Sequence, residues 1–151
     1  MSNHEPPVYA DTSFLISCFV KDEHTQQARR TLANFKKPLV ISPLCYLEYR
    51  TAIWQRVGRG QFERADAKRI CDEFAILLQR RLLIDLGEDA HPSVWDKATS
   101  LTDAHTADFH LRSLDIWHVA YALTGQVRSF WSFDGRQRKL AHVVGMRLND
   151  M

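Results

Sequence analysis

The stretch Pro38-Leu39-Val40-Ile41-Ser42-Pro43 decides the class of fold. Its three consecutive apolar residues are bounded by Pro38 and Ser42, a pattern typical of a short parallel strand that is buried on both faces. Ser42 followed by Pro43 is a strong start signal for a helix, with Ser as the N-cap and Pro in the first helical position. The stretch therefore predicts a buried strand that leads directly into a helix.

The same alternation of short apolar runs and helical segments continues in both directions along the chain. Strands are expected at residues 8–10, 39–41, 82–84, 129–133 and 146–148. Helices are expected directly after the first strand and at residues 23–37, 43–58, 62–81, 90–106, 114–124 and 135–145. Strands that alternate with helices predict an α/β fold, with a central, mostly parallel sheet of about 4–5 strands flanked by helices.

Length and composition indicate one folded domain. The chain has 151 residues, of which 45% are hydrophobic and 25% charged, which excludes a mainly disordered protein. Residues 1–7 are expected to form a short N-terminal tail, and residues 8–149 a single domain. The formal net charge of +2, taken alone, argues against a strongly basic nucleic-acid binder.

Several other classes of protein are disfavoured by the sequence. Its three cysteines are widely spaced and form no C-x-x-C pair, so they are interpreted as buried apolar residues in a reducing compartment. No segment has the length or apolar character of a signal peptide or a membrane span. The sequence also lacks the glycine-rich motifs of phosphate-binding loops and dinucleotide-binding folds. We therefore expect a cytoplasmic protein without membrane contact.

Four acidic residues fall at the positions where parallel sheets usually bind ligands. Asp11 follows the first strand, Asp134 follows the fourth, Glu48 lies early in the helix after the second strand, and Asp115 begins the helix before the fourth. Carboxyl ends of parallel strands share one edge of the sheet, so these carboxylates are expected to lie close together. By contrast, the acidic residues near Arg64, Lys68 and Arg69 are interspersed with these cations, a pattern typical of the solvent-exposed face of a helix.

Each acid also has a simpler interpretation when it is considered alone. Asp11 before Thr12 and Ser13 could be a helix cap, and Ser113 could cap the helix that contains Asp115. Glu48 could pair with an arginine, and Asp134 before a glycine is a common turn residue. Carboxylates clustered together repel one another, however, unless a cation compensates them. Oxygen ligands without a set of histidines or cysteines favour Mg²⁺, or Mn²⁺, over zinc.

Four motifs in order give the chain a family resemblance. They are Val8-Tyr-Ala-Asp11-Thr-Ser-Phe-Leu, Ser42-Pro-Leu-Cys-Tyr-Leu-Glu48-Tyr-Arg, Arg112-Ser-Leu-Asp115-Ile-Trp-His118-Val-Ala and Ser132-Phe-Asp134-Gly-Arg-Gln. Together they resemble the PIN domain and, more narrowly, the VapC toxins of type II toxin–antitoxin systems, over residues 8–149. The resemblance implies a PIN-like fold and an endoribonuclease that depends on Mg²⁺ or Mn²⁺.

The resemblance also implies roles for individual residues and partners. Asp11, Glu48, Asp115 and Asp134 would be both the metal ligands and the catalytic residues. The residues expected to support them are Thr12, Ser13, Ser132, His118 and Arg112. His118 has a structural alternative, as a hydrogen-bonded core residue. The expected partners are an RNA substrate, a cognate VapB-like antitoxin that blocks the site and a second copy of the chain in a homodimer.

Two alternatives remain open at this level. The chain could be a PIN nuclease that is not a toxin, or an inactive PIN-like module that only binds RNA or protein. A haloacid-dehalogenase phosphatase is disfavoured because Ser13 stands where its Asp-x-Asp motif needs a second acid. The segment 102–110 departs from the family pattern, and Asp103 or Asp108 could add further acidity to the site.

Overall fold

The computed structural model describes residues 6–86 and 91–151 of the chain. In that part, five strands alternate with seven helices, which confirms the α/β prediction. The strands are β1 (Val8–Ala10), β2 (Leu39–Ile41), β3 (Leu83–Asp85), β4 (Ser129–Trp131) and β5 (Arg147–Leu148). The helices are α1 (Thr12–Phe19), α2 (Thr25–Ala33), α3 (Pro43–Gly58), α4 (Arg64–Gln79), α5 (His91–Phe109), α6 (Ser113–Thr124) and α7 (Gly135–Val143). Most of the predicted N-terminal tail, and the predicted helix start at residue 90, lie outside the described residues.

The five strands form one parallel sheet in the order β3-β2-β1-β4-β5. β1 is the central strand. β2 and β3 lie on one side of it, and β4 and β5 lie on the other. In register, Ala10 of β1 lies opposite Trp131 of β4. The residues that follow β1 and β4 are therefore neighbours at the carboxyl edge of the sheet.

Helices cover the central strands on both faces. Every residue of β1 and of β2 is buried. Successive strand residues point to opposite faces of a sheet, so both faces must be packed against other elements. Tyr9 in β1 is fully buried, and its ring stacks on that of Phe130 in β4, with ring centroids 5.3 Å apart. The core is therefore continuous through the centre of the sheet.

Side-chain caps fix the starts of the helices that follow β1 and β2. The carboxylate of Asp11 accepts a hydrogen bond from the backbone N–H of Phe14, at 2.9 Å. The hydroxyl of Ser42 accepts one from the backbone N–H of Cys45, at 3.3 Å, and Pro43 occupies the first turn of α3 as predicted. Both helices thus begin immediately beyond the sheet edge.

Some predicted boundaries are wrong by a few residues. β4 ends at Trp131, so Ser132 and Phe133 lie beyond the strand instead of inside it. The helix expected at 23–37 is the shorter α2, and the one expected at 114–124 begins at Ser113. Ser113 is consequently not the cap of α6: Arg112 holds that position, and its backbone N–H donates to Asp115.

Two further expectations concern the cysteines and the membrane. Cys18, Cys45 and Cys71 are all buried free thiols, as predicted. Burial raises the pKa of the Cys18 thiol to about 12, so this group remains protonated at neutral pH.

None of the helices in residues 6–86 and 91–151 combines the length and apolar character needed to cross a bilayer.

Candidate functional site

The carboxyl edge of β1 and β4 places Asp11 beside Ser132. The backbone N–H of Asp11 donates to the carbonyl of Trp131, at 3.0 Å, which extends the strand pairing by one residue. The Ser132 hydroxyl then donates to Oδ2 of Asp11, at 2.9 Å. This edge is also the point where the order of the strands reverses, the usual location of a ligand site in an open α/β sheet.

Asp11 is a buried carboxylate that is held by hydroxyl groups. The Ser13 hydroxyl lies 2.8 and 2.9 Å from its two oxygens, in addition to the contacts with Ser132 and the backbone of Phe14. Burial raises the pKa of Asp11 above its ordinary value, and the charge of His118 and these hydrogen bonds only partly oppose that effect. A nearby cation would favour the charged form of this carboxyl group.

Glu48 reaches the same cleft from α3. Its Oε1 accepts a hydrogen bond from the Thr12 hydroxyl, at 3.0 Å, and one from Nε2 of His118, at 2.5 Å. The side chain of Glu48 is 28% exposed, whereas that of His118 is completely buried. Glu48 therefore presents its carboxylate to the cleft, while a buried imidazole and a hydroxyl fix its orientation.

Behind Glu48, a buried chain of hydrogen bonds leads into the core. The Tyr9 hydroxyl lies 2.7 Å from Nδ1 of His118 and donates to the Ser42 hydroxyl at 3.0 Å. Burial alone would lower the pKa of His118, but Cys45, Glu48 and Asp11 outweigh it, and the net shift is upward. The imidazole of His118 thus links the buried Tyr9 hydroxyl to the carboxylate of Glu48.

Asp115 and Asp134 are joined by the guanidinium group of Arg112. Nε and Nη2 of Arg112 lie 3.0 and 3.1 Å from the two oxygens of Asp115, and Nη2 lies 3.4 Å from Oδ2 of Asp134. Burial raises the pKa of Asp115, but the hydrogen bonds and charge of Arg112 reverse this and leave it below its ordinary value. The same contact raises the pKa of Arg112.

Asp134 has its position fixed from both sides. Its backbone N–H donates to the Ser132 hydroxyl, at 2.9 Å, and its Oδ1 caps α7 by accepting from the backbone N–H groups of Arg136 and Gln137. The side chain remains 25% exposed, with Oδ2 towards Arg112. Ser132 thus links Asp11 to Asp134, although these acids follow different strands.

All four predicted acids line one open cleft of about 700 Å³. Of the five supporting residues, Thr12, Ser13 and Arg112 also line it, whereas Ser132 and His118 contact the acids from behind. Asp103 and Asp108 are exposed on α5 and do not line the cleft, so the structure gives no support to their contribution. The structure therefore brings together the four predicted acids and their supporting residues, but not Asp103 or Asp108.

Two residues of the site were missed from the sequence. The sequence places Tyr9 only in a buried strand, because its partner His118 is 109 positions away. Gln137 lines the cleft, and its hydrogen bond to Asp115 helps to lower the pKa of that acid. Gln137 follows Asp134 by three residues, and this spacing within the first turn of α7 was the available signal.

The donor chemistry of the cleft fits a hard divalent cation. Four carboxylates supply oxygen ligands of the kind that Mg²⁺ and Mn²⁺ prefer, and the buried Oε1 of Gln137 has no hydrogen-bond partner among the described residues. In the described arrangement, no three His, Cys, Asp or Glu groups are close enough to hold a metal ion. Arg112 lies between two of the acids and compensates their charge instead.

Fold and site together define a parallel-sheet α/β domain with an acidic cleft at the point where the order of the strands reverses. The family model of the PIN domain matches residues 8–143, and the chain belongs to this family. This confirms the resemblance inferred from the four acidic motifs. A search of curated proteins gives no match.

Solved structures with the same fold include toxins. The crystal structure of Mycobacterium tuberculosis VapC20, described as a sarcin-ricin loop cleaving toxin, matches with a TM-score of 0.67 and 16% identity, over 95% of this chain and 99% of that one. A toxin–antitoxin complex from Klebsiella pneumoniae matches with a TM-score of 0.55 and 14% identity, over 85% of this chain and 86% of that one. At these identities the likeness concerns the fold.

Proposed function

We propose that the protein is a metal-dependent endoribonuclease, the VapC-like toxin of a type II toxin–antitoxin system. The observation that carries the proposal is the convergence of Asp11, Glu48, Asp115 and Asp134, from four separate elements, in one cleft. Arg112 contacts two of these acids, and a bound cation would offset the repulsion that remains among the four carboxylates. Membership of the PIN family and the fold shared with a toxin described as cleaving the sarcin-ricin loop support the nuclease activity.

In the proposed mechanism the four acids would hold Mg²⁺ or Mn²⁺. The bound ion supplies activation of water and neutralisation of charge on the scissile phosphate. Ser13 and Ser132 orient the carboxylate of Asp11, and Thr12 and His118 orient that of Glu48. Arg112 is 62% exposed at the rim of the cleft and is available to donate to a phosphate oxygen.

The proposed partners follow from the same site. An RNA strand would occupy the open cleft, and a VapB-like antitoxin would block it. The toxin–antitoxin complex among the fold neighbours supports the second partner. The toxin role has its own readout, because expression of the chain without an antitoxin should arrest growth, and harmless expression of an active nuclease would identify a non-toxin PIN enzyme.

Asp11→Asn tests the nuclease site. We expect it to reduce cleavage of a fluorescent single-stranded RNA by at least about a hundredfold, because it removes a charge from the centre of the cleft. Asparagine can still cap α1, so the circular-dichroism spectrum should stay unchanged. Glu48→Gln, at a half-exposed position, provides a second variant, and Asp103→Asn, an exposed acid outside the cleft, is the matched control. Full activity of both site variants would contradict the proposal.

Metal binding gives a readout that does not depend on catalysis. Mg²⁺ or Mn²⁺ should raise the melting temperature of the wild-type protein, because a ligand that binds only the native state stabilises it. The double variant Asp11→Asn/Asp115→Asn should lose this shift. An equal shift in both proteins would place the ion outside this cleft.

A further inference from the structure

A second cleft, of about 500 Å³, opens next to the acidic one. The two clefts share Ala52 and Arg56 as lining residues, so they form one continuous surface. The second cleft is lined by Val20, Lys21, Ala52, Gln55, Arg56, Arg59, Gln61 and Phe62. Three of these residues are cationic and none is acidic, so the sign of the charge reverses from one cleft to the next.

The cations of this second cleft lack acidic partners among the residues that the structure describes. Arg56 donates one hydrogen bond, from Nη1 to the carbonyl of Ala52, at 3.2 Å. The side chains of Lys21 and Arg59 have no hydrogen bond or ion pair within the described ranges, and both residues are exposed. Their charge is available to an external anion.

The basic residues of α4 show the opposite arrangement. Lys68 pairs with Asp72 at 2.6 Å, and Arg69 pairs with Glu73 at 2.9 Å, one helical turn away in both cases. Such exposed pairs neutralise each other locally and are worth only about 0.3–0.5 kcal/mol each. Lys21, Arg56 and Arg59 differ from Lys68 and Arg69 in having no acidic partner among the described residues, and α4 therefore offers paired cations of the same types for comparison.

One helix connects the two clefts. Glu48, Ala52 and Arg56 follow one another at intervals of four residues in α3, so they lie on one face of the helix, and Arg59 is its C-cap residue. At a rise of about 1.5 Å per residue, Arg56 is roughly 12 Å and Arg59 roughly 16 Å from Glu48 along the axis. The cations therefore lie a few nucleotides away from the acidic centre on a path that a strand could follow.

We infer that Lys21, Arg56 and Arg59 bind the phosphates of a single-stranded RNA segment that flanks the scissile bond. This inference rests on the proposed function. It specifies the side on which the RNA leaves the acidic cleft. Arginine donates to phosphate through a planar fork of N–H groups. The half-buried ring of Phe62 and the amides of Gln55 and Gln61 complete the lining with groups that stack on or hydrogen-bond to bases.

The test compares two double variants that remove the same charge. Arg56→Gln/Arg59→Gln changes the cleft, and Lys68→Gln/Arg69→Gln changes the paired cations of α4. The probe is a fluorescein-labelled 12-nucleotide RNA of mixed sequence, and its anisotropy is measured in EDTA at several salt concentrations. In the cleft variant we expect about tenfold weaker binding and a salt slope lower by roughly 1.4, since each phosphate contact on a single strand contributes about 0.7. The α4 variant should remain within about twofold of wild type.

Cleavage kinetics provide a second readout. The cleft variant should raise KM with little change in kcat, because the contacts lie away from the reacting phosphate. Equal effects of the two double variants on binding would overturn the inference, since net charge alone would then explain them. Unchanged RNA binding together with weaker binding of a glutamate-rich peptide would overturn it in favour of an acidic protein segment.

The outcomes also separate this inference from the proposed function. Loss of cleavage in Asp11→Asn with normal RNA binding by the cleft variant would sustain the nuclease and refute the phosphate-binding role. Weaker RNA binding by the cleft variant, with full cleavage in Asp11→Asn and Glu48→Gln, would sustain the phosphate-binding role and refute the proposed nuclease site.

Discussion

At the scale of single residues, Arg112 serves as an internal cation of the acidic cleft. Its guanidinium group bridges Asp115 and Asp134 in the space between two proposed metal ligands. Two positive charges cannot favourably share the same carboxylates, so a divalent ion held by these acids would compete with at least the longer contact of Arg112, to Asp134. Arg112 would thereby set how tightly the site holds its metal.

Arg112→Gln should strengthen the binding of Mn²⁺. Displacing a charge-assisted hydrogen bond costs on the order of 1.5 kcal/mol, equivalent to about tenfold in affinity, and solvent exposure of Arg112 reduces the expected gain to about threefold to tenfold. Isothermal titration calorimetry measures it directly. Arg136→Gln is the control, because Arg136 is exposed nearby and only its backbone N–H contacts Asp134. Weaker binding in Arg112→Gln would instead show that the guanidinium group positions the carboxylates for the ion.

The individual acids could be predicted because each follows a recognisable strand or helix signal. The sequence also predicts that the four acids lie at the same edge of the sheet, but it does not predict the contacts between them. The hydrogen bond between His118 and Tyr9 could not be predicted, since it joins residues 109 positions apart and depends on how α6 packs against β1. The contact of Arg112 with Asp134 has the same origin in tertiary packing.

At the scale of elements, α3 links the core to both clefts. Its N-terminus is capped by Ser42, its first turns carry Glu48, and its last turn carries Arg56. Any change in where this helix begins would rotate or displace the acidic and the basic residues together. The capping of α3 is therefore important for the geometry of the site as well as for stability.

Ser42→Ala should lower the free energy of unfolding by about 1–2 kcal/mol, at the upper end of the range for a lost N-cap. Ser42 is completely buried, and its hydroxyl also accepts a hydrogen bond from Tyr9. Thermal unfolding should show a decrease of roughly 2–8 °C, as expected for a domain of this size. Glu63→Ala is the matched control, because Glu63 occupies the N-cap of α4 without a side-chain hydrogen bond. An equal effect of the two changes would contradict the assigned role of Ser42.

Elements were predicted more reliably than their ends. The apolar runs that form β1 and β2 have no helical alternative of sufficient length, so sequence alone identifies them. At the end of β4, Phe133 continues the apolar run, but its side chain stacks on Phe14 and His24 beyond the sheet. Hydrophobicity alone does not distinguish burial in the sheet from burial under a helix.

At the scale of the whole molecule, an exposed apolar surface lies beside the acidic cleft. Leu47 is 62% exposed and Trp95 64% exposed, and both line a depression together with Pro43, Leu44 and Leu114. Large apolar side chains grouped at a surface usually mark a protein interface. The homodimer remains a prediction, and this apolar surface is where we expect its interface to lie.

Leu47→Glu should convert a dimer into a monomer. A symmetric interface contains each residue twice, so the change would bury two carboxylates against apolar side chains. Light scattering after size-exclusion chromatography gives the mass directly. Ile76→Glu, at an exposed apolar position on α4, should leave the mass unchanged. A monomeric wild-type protein would refute the dimer, and an unchanged dimer in Leu47→Glu would place its interface elsewhere.

The order of the strands has a consequence for the synthesis of the protein. β1 lies at the centre of the sheet, with β2 and β3 on one side and β4 and β5 on the other. A ribosome therefore synthesises Asp11 and Glu48 first, and β4, which places Ser132 and Asp134 beside them, only after α3, α4, β3, α5 and α6. A growing chain that lacks β4 cannot bring the four acids together, so the acidic cleft is assembled only after this strand has been synthesised.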